Sequence, residues 1–526
     1  MTEHNTTLQP RAAWRPRLAS GIAVALLLIY FATRLYHLMA LPFFLDEASH
    51  LTRAQMVWQG QPLYLLETGK ALAPYLAALC WPFAGAPFIG RLMVVLLGAI
   101  GLASAYAVGR DLHSRRAGLL VMALWIVCPQ LFFYERMALV DTTVSAMAML
   151  ALWLAIRAVR SGRITTAALC GIALALTVLA KLTGIVFAII PVLVVLMVTS
   201  RRSWGIRIRA AIVAYIVLGL LLVGPFLYLR STDTDPTGQE YGLTTTRLDD
   251  FPTRLAQNLA RVRDAEVAYF SIPMLIIMVG AGLYGLVSMP RRALLLIGLA
   301  VVLVGAICFA GVSIWLRYVS PAAPFLLLCT ALALINFADT WQDALRPVRM
   351  VFALSPLLVL AGWAVLHAIP FMLTAYSDPT ALNLPNCSLC DETEYIRWIP
   401  SGYGVREAAQ YIQSTMTTPD LVVGSAVNCN TARLMMPYDS PVAFKCYDLD
   451  WGGGNWNVIQ DMQDQIDRAG HVYVLGENVA IVSTTQFPVP WCVVKSFPRP
   501  DPRYFVTLYY IGKGADDSHC PPSTEK

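Results

Sequence analysis

Two adjacent carboxylates, Asp46 and Glu47, follow an apolar run, Gly21 to Met39, that is long enough to span a bilayer. Ionisable groups at the edge of the hydrocarbon are costly, and they commonly mark functional sites. An aspartate can act as a general base when it lies within hydrogen-bonding distance of an incoming hydroxyl. Asp46 is therefore a candidate catalytic base, with Glu47 orienting it, raising its pKa or binding a metal. The structural alternative is that both acids cap a short interfacial helix.

Cations from distant parts of the chain are candidate contacts for a phosphate group. A departing phosphate needs cations to stabilise its developing negative charge, and an arginine can bind two oxygens at once. These candidates are Lys70, Arg136, Lys181 and Arg317. Each also has a structural alternative. Lys181 can extend to the membrane interface, and Arg317 lies in an aromatic belt. Arg136 can pair with Glu135 or Asp141.

One further acid and one histidine belong to the candidate set. Asp141 starts a predicted helix, so it is either an N-cap or a second active-site acid. His50 lies four residues after Asp46, and on a helix the two would share a face. This arrangement permits metal binding, although a single histidine with acids is a weak metal signal.

The composition indicates what must position these side chains. Hydrophobic residues make up 57% of the 526 residues and charged residues 14%, against about 45–50% and about 25% in soluble domains. Repeated apolar runs of about twenty residues predict a polytopic α-helical membrane protein. The net charge of +6 is carried by arginines in short loops, so it does not indicate nucleic-acid binding. The first span follows Arg11, Arg15 and Arg17 without a small-residue cleavage site, which predicts a retained signal anchor.

The apolar runs predict about eleven transmembrane helices. They are 18–39, 89–108, 117–134, 141–157, 164–180, 183–200, 209–229, 271–289, 292–312, 319–338 and 350–370. Arginines alternate between connections as the positive-inside rule requires only if the short segment 73–84, with its two prolines, does not cross. With that choice the 1–17 tail is cytoplasmic, and the first exoplasmic loop is 40–88. The candidate acids and cations then gather at the outer face.

Residues 371–526 change in character and predict an exoplasmic α/β domain. An amphipathic helix is expected at 404–414 and a second helix at 457–469, with strands at 421–427, 471–475, 491–496 and 504–511. The region holds six cysteines, and an even number in an exoplasmic domain favours disulfides. The alternative is that Cys387 and Cys390 form a redox or zinc pair.

Several short motifs resemble those of a known superfamily. The segment 45–48, with its Asp-Glu pair just after the first span, resembles the first-loop motif of GT-C membrane glycosyltransferases. The resemblance is to the protein O-mannosyltransferase and lipid A aminoarabinose transferase group. Segment 67–74 resembles the group's Lys-Pro-Pro segment, with Ala71 and Leu72 in place of the prolines. Segments 135–141 and 317–324 resemble its Arg-x-x-x-x-Asp turn and its late Arg-Tyr…Pro-x-x-Pro span, and 402–409 resembles the exoplasmic domain of bacterial members.

The resemblance implies a GT-C fold and an inverting transfer of a sugar from a polyprenyl-phosphate donor to an acceptor hydroxyl outside the cytoplasm. It implies Asp46 as the base and places Lys70 near the donor phosphate. The aminoarabinose relatives hold a divalent metal near the first loop, and Glu67 would match one ligand. Asp46, His50 and Glu67 are therefore the metal candidates, and a divalent metal ion is the one cofactor considered.

The sequence thus predicts a multi-pass inner-membrane glycosyltransferase of bacterial type, with a transmembrane catalytic domain, 18–370, and an exoplasmic domain, 371–526. The catalytic candidates are Asp46, Glu47 and Asp141. The expected partners are a polyprenyl-phosphate sugar donor, a glycan, lipid or protein acceptor, and the bilayer, with no nucleic acid. Two alternatives are a flippase for a lipid-linked sugar and a non-catalytic assembly protein.

Overall fold

The computed structural model describes most of the chain. The described residues are 16–60, 69–80, 86–231, 251–311, 314–340, 355, 357–385, 390–416, 420–437, 439–447, 456–477 and 490–512. They form a helical part followed by a part that contains a β-sheet. The fold class predicted from the sequence is therefore confirmed.

The helical part consists mainly of long apolar helices. In chain order they are α1 (Pro16–Leu35), α2 (Leu45–Trp58), α3 (Leu72–Ala78), α4 (Ala86–Leu112), α5 (Arg115–Val127), α6 (Pro129–Glu135), α7 (Val140–Ser161), α8 (Ile164–Ala180), α9 (Ile190–Met197), α10 (Trp204–Ser231), α11 (Phe251–Ser288), α12 (Pro290–Ala310), α13 (Ala323–Thr340) and α14 (Leu357–Ser377). Short 3₁₀ turns cover Leu182–Ile189, Leu316–Tyr318 and Ser320–Ala322. The chain is a multi-pass membrane protein.

Eight helices in the described ranges are long and apolar enough to cross a membrane, or nine if α5 and α6 form one bent span. The bend of 66° falls at Cys128, whose extended backbone precedes Pro129. The remaining two of the eleven predicted spans correspond to shorter apolar helices, 164–180 and 182–197. Helix α3 has seven residues, which is too short to span, as the sequence predicted for this segment.

One predicted loop is partly helical. Residues 251–270 were expected in a long outer connection, but they form the first half of α11. Ser271, with φ of 60°, and Pro273 separate this half from the apolar half that follows. The first half is rich in Arg, Ala and Leu, which are strong helix formers, and this explains why the connection is not irregular.

Helix α7 lies at the centre of the helical part. Within its apolar stretch, 83% of the residues are buried, against 17% for α1. It packs against α4, α8, α9 and α10. Side chains at the start of α7 are therefore enclosed by neighbouring helices, whereas α1 presents most of its surface to lipid.

The later part contains a five-stranded mixed sheet and three helices. The strands are β1 (Leu421–Ser425), β2 (Ala443–Tyr447), β3 (His471–Glu477), β4 (Trp491–Pro498) and β5 (Phe505–Gly512), in the order β2-β1-β3-β5-β4. Strand β1 is parallel to β2 and β3, whereas β5 is antiparallel to β3 and β4. The helices are α15 (Val405–Thr415), α16 (Ala426–Met435) and α17 (Trp456–Ala469). Sequence reasoning predicted all of these elements except β2 and α16.

A disulfide fastens the two elements that the sequence did not predict. Cys429 on α16 bonds to Cys446 on β2, with the Cα atoms 5.3 Å apart. Cys390 and Cys492 are disulfide-bonded as well. The disulfide prediction is thus confirmed for these four cysteines, and Cys390 is not a zinc ligand. Cys387 lies outside the described residues.

The sheet-containing part touches the first outer loop. Helix α16 packs against α2. The Leu45 amide donates to the Pro400 carbonyl over 3.1 Å. A Cβ on Gly402 would lie 2.3 Å from the Phe43 carbonyl oxygen, so this approach requires glycine. The start of α2 is therefore held by both parts of the chain.

Candidate functional site

Glu47 fixes the start of α2. Its carboxylate accepts a bidentate pair from Arg91, with Nε–Oε1 2.8 Å and Nη2–Oε2 2.7 Å, and both side chains are fully buried. The same carboxylate accepts the amides of Phe44, over 2.9 Å, and Ala138, over 2.7 Å. Four hydrogen bonds occupy it, so Glu47 acts as a helix cap and a structural clamp. This geometry favours the capping alternative for Glu47 over a direct catalytic role.

Arg91 also orders the loop that leads into α2. It donates to the carbonyls of Leu38 and Leu41 over 2.9 Å and of Pro42 over 3.1 Å. These hydrogen bonds make the loop a rigid support for the first turn of α2, which carries Asp46. Sequence reasoning placed Arg91 inside a span and did not assign it a role.

Asp46, on the same turn, is held by a cation from a distant part of the chain. Arg317 donates from Nη2 to Asp46 Oδ2 over 2.7 Å. The Asp46 side chain is 25% exposed, whereas that of Arg317 is only 6% exposed. Asp46 is thus partly accessible, whereas Glu47 is fully buried. Of the two neighbouring acids, only Asp46 is placed to contact a substrate.

A third residue shares Arg317 with Asp46. The other guanidinium nitrogen, Nη1, donates to Glu394 and, over 3.1 Å, to the Tyr395 hydroxyl. Glu394 is buried and lies in a short π-helical turn, Thr393–Arg397, after the last apolar helix. Sequence reasoning missed Glu394. The only signal was the run of acids at 391–394 directly after a cysteine, and nothing in it points to Arg317.

Two lysines lie near enough to Asp46 for their charges to lower its pKa. The Leu182 amide donates to the Gly69 carbonyl over 3.1 Å, and this bond sets Lys70 beside Lys181. Gly69 has φ of 62°, which glycine adopts without strain. Lys181 Nζ lies 2.7 Å from Asp141 Oδ1 and 3.3 Å from the centre of the Tyr318 ring. Lys70 forms no ion pair within 4.0 Å among the described residues.

Asp141 is not the N-cap of α7. The N-cap is Leu139, and Asp141 is the second residue of the helix. Its side chain is 3% exposed and bound to Lys181. Lys181 therefore does not extend to the membrane interface, because it is buried in this pair. The structure brings Asp46, Lys70, Lys181, Asp141 and Arg317 together, as their predicted sidedness required.

The electrostatic balance around Asp46 follows from these neighbours. Burial on its own would raise the pKa of Asp46, but the charges of Arg317, Lys70 and Lys181 hold the pKa well below the usual range. Burial raises the pKa of Glu394 to about 8, against the opposing charge of Arg317. Asp46 is thus ionised and Glu394 protonated near neutral pH.

His50 has one ring nitrogen engaged and the other without a partner. Nδ1 lies 3.0 Å from the Ala138 carbonyl oxygen, which only accepts, so Nδ1 carries the proton. Nε2 is buried and has no hydrogen-bond partner among the described residues. Burial lowers the pKa of His50 to about 3, so the ring is neutral. Its free lone pair is one donor for a metal or a sugar hydroxyl.

The described residues do not by themselves fit a metal. No group of three His, Cys, Asp or Glu side chains in the described ranges could hold an ion. Asp46 and His50 are two donors, and a divalent site needs more. Glu67, the third predicted ligand, lies outside the described residues.

Arg136 does not join the cations around Asp46. Its Nη2 donates to the His37 carbonyl over 2.5 Å, and its guanidinium lies between the rings of Phe132 and Tyr376. It pairs with neither predicted acid. Glu135 pairs with Arg34, Nε–Oε2 2.8 Å, and Asp141 pairs with Lys181. The contacts of Arg136 thus do not support its predicted role at the donor phosphate beside Asp46.

Comparison with known proteins gives one family model. Residues 71–229, less than half of the chain, match the model of dolichyl-phosphate-mannose-protein mannosyltransferase. The matched range includes Asp141 and Lys181. No curated protein sequence matches the chain.

Solved structures match over most of the chain. The ArnT structure from Cupriavidus metallidurans bound to undecaprenyl phosphate is 13% identical, with a TM-score of 0.60, over 97% of this chain and 100% of that chain. The Archaeoglobus fulgidus oligosaccharyltransferase in complex with Zn and sulfate is 14% identical, with a TM-score of 0.52, over 87% and 68%. The archaeal oligosaccharyltransferase AglB from Archaeoglobus fulgidus, in complex with an inhibitory peptide and a dolichol-phosphate, is 12% identical, with a TM-score of 0.52, over 88% and 70%.

At these identities the structural matches establish the fold, and the family model adds a sequence relationship over the helices around α7. The predicted GT-C fold is confirmed by these matches. The chain shares the fold of the solved structures over most of its length and, over residues 71–229, resembles the mannosyltransferase family in sequence.

Proposed function

We propose that this protein is a glycosyltransferase that moves a sugar from a polyprenyl-phosphate donor to an acceptor hydroxyl, with inversion at the anomeric carbon. The observation that carries the proposal is the contact between Asp46 and Arg317, with Lys70 and Lys181 close by. One accessible carboxylate beside three cations is the arrangement that a base and a leaving phosphate require. Solved relatives bound to undecaprenyl phosphate and to a dolichol-phosphate support this donor class.

Donor binding would redistribute the charges. The donor phosphate competes with Asp46 for Arg317, because phosphate oxygens accept the same bidentate donors as a carboxylate. Lys70, which has no ion-pair partner in the described ranges, supplies a second contact. Losing Arg317 raises the pKa of Asp46 and makes it a stronger base. The base is thus activated only when the donor is in place.

The transfer then follows in one displacement. The acceptor hydroxyl oxygen attacks the anomeric carbon from the face opposite the phosphate, and Asp46 takes the hydroxyl proton. The bond between the anomeric carbon and the phosphate oxygen breaks, and the polyprenyl phosphate leaves with the electron pair. Arg317, Lys70 and Lys181 stabilise that charge. Asp141 holds Lys181 in position, and Glu47 holds the turn that carries Asp46.

The same proposal places the reaction on the exoplasmic face of the inner membrane. Arginine alternation along the sequence supports a cytoplasmic N-terminus. The Cys429–Cys446 disulfide supports an oxidising compartment for the sheet-containing part. We divide the chain accordingly into a cytoplasmic tail, 1–17, a transmembrane catalytic domain, 18–370, and an exoplasmic domain, 371–526.

The test is turnover of a panel of radiolabelled polyprenyl-phosphate sugars by the purified protein, with membrane extract as the source of acceptor. We expect one donor to release polyprenyl phosphate and to label a product. A Lys70→Gln variant should need much more of this donor, whereas the exposed control Asp464→Asn should behave as the wild type. If every donor stays intact, the transferase proposal is wrong, and a flipping assay in liposomes would test the rival function.

A further inference from the structure

Arg136 is a buried cation without a carboxylate partner. It lies near Arg34 and Arg91. Those two arginines pair with Glu135 and Glu47. Of these three arginines, Arg136 is therefore the one without an ion-pair partner within 4.0 Å among the described residues. Arg136 is 7% exposed, and its Nη1 atom has no hydrogen-bond partner in the described ranges. Buried charges are normally paired, and this one lacks its anion.

The guanidinium borders an apolar cavity. The lining consists of Leu38, Leu41, Phe132, Phe133, Arg136, Met137, Ala375, Pro379 and Leu382. The enclosed part has room for about one water-sized group. A ligand would therefore place a single headgroup oxygen beside Nη1 and keep its bulk outside. The rings of Phe132 and Tyr376, 4.9 and 4.7 Å from the guanidinium carbon, hold that carbon in place.

The cavity lies beside the ends of two apolar helices that are largely exposed. These are α1 and α14, within whose apolar stretches only 17% and 28% of the residues are buried. Leu35 and Leu373, near these two helix ends, are exposed apolar side chains. An occupant with apolar chains and an anionic head matches both features.

An aromatic wall separates this cavity from the donor site. Phe133 lines the cavity, and its ring centre lies 5.4 Å from that of Tyr395. Tyr395 in turn contacts Arg317 through its hydroxyl. The two cations thus face different spaces.

We propose that Arg136 and this cavity form a second lipid-phosphate site, distinct from the one beside Asp46. Its ligand is a phosphate-bearing lipid, either a polyprenyl phosphate or a phospholipid. The proposal does not depend on the reaction at Asp46, because it rests on the charge and burial of Arg136 and on the cavity beside it.

The test is a count of bound lipids by native mass spectrometry of the purified full-length protein. Polyprenyl monophosphate, phosphatidylglycerol and inorganic phosphate are added in separate arms. We expect the wild type to bind two lipid phosphates. Arg136→Gln should lose one of them, because the affinity of that site falls by about ten-fold or more. Lys70→Gln should weaken only the other. The lipid whose binding to the wild type exceeds its binding to Arg136→Gln by one molecule is the ligand of this site.

A second variant guards against misfolding. Ala375→Val narrows the cavity and leaves the Arg136 charge intact, and it should weaken binding of the same lipid while its melting temperature shows that it is folded. If folded Arg136→Gln and Ala375→Val both bind as many lipids as the wild type, the proposal is wrong. Binding of inorganic phosphate without either lipid would also overturn it.

Discussion

Arg317 donates a hydrogen bond of 2.7 Å to Asp46 across 271 positions of sequence. The contact joins the first turn of α2 to the 3₁₀ turn Leu316–Tyr318, which precedes α13. It holds the accessible acid of the site ionised, and it occupies the cation that a donor phosphate needs. In the donor-free protein the proposed base, Asp46, is thus hydrogen-bonded to the proposed phosphate contact, Arg317.

Replacement of Arg317 by lysine should slow transfer. A lysine keeps the charge, but it lacks the planar fork that reaches Asp46 and Glu394 at once. We expect kcat to fall by about ten-fold or more, equivalent to about 1.4 kcal/mol of transition-state stabilisation. The rate of sugar transfer at saturating donor is the measurement. Arg263→Lys, at an exposed pair, is the matched control, and an unchanged rate in Arg317→Lys would contradict the role of the guanidinium.

The neighbouring acids Asp46 and Glu47 should differ in what their loss does. Glu47→Gln leaves Arg91 charged and buried without its partner, a change that costs about 3–5 kcal/mol. Asp46→Asn affects a partly exposed side chain and should leave the protein folded. Thermal unfolding in detergent should therefore show a large fall in the melting temperature only for Glu47→Gln. Equal melting temperatures for the two variants would refute the division of roles.

Glu394 should make stability depend on pH. Its pKa is about 8 in the folded protein and 4.5 in a free side chain, so between these values the folded state holds a proton that the unfolded state has lost. The free energy of unfolding therefore falls as pH rises through this window. Glu394→Gln removes this contribution. The melting temperature of the variant should drop less between about pH 5 and about pH 9 than that of the wild type. A drop equal to the wild-type drop would show that Glu394 ionises as it does in water.

The Lys181–Asp141 pair should separate stability from catalysis. Lys181→Met leaves Asp141 buried and unpaired, so it should be strongly destabilising. Adding Asp141→Leu removes the orphaned charge and should restore much of the melting temperature, because a buried pair can be replaced by apolar groups. The double variant should still transfer sugar poorly, since a phosphate contact is missing. Full recovery of both stability and transfer would mean that the pair is only structural.

The sequence predicted which side chains gather at the site, because it predicted the face of the membrane at which each of them lies. Lys70, Lys181 and Arg317 come from three separate turns, and the arginine alternation places all three at the same face as Asp46. Residues at one end of adjacent spans must lie close together, so their gathering follows from topology. Four of the five C-terminal strands, all but β2, also followed from the sequence pattern, because alternation and turn residues mark them.

Contacts that depend on side-chain direction could not be predicted in this way. Arg136 shares the predicted face with Lys181, yet its guanidinium turns toward His37 and Tyr376. Glu394 reaches Arg317 from a π-helical turn, and no periodicity in the sequence indicates that turn. The Glu47–Arg91 pair needs the packing of α2 against α4. Packing of separate elements decides each of these three cases.

The central claim is that Asp46 takes the acceptor proton. The most direct test is to measure donor binding and sugar transfer for wild type and Asp46→Asn with the donor identified from the panel. Asparagine keeps the size of the side chain and can still bond to its neighbours, but it cannot act as a base. The account predicts that donor affinity is retained while transfer falls by about 10²-fold or more. A folded Asp46→Asn protein that transfers sugar at the wild-type rate would contradict it.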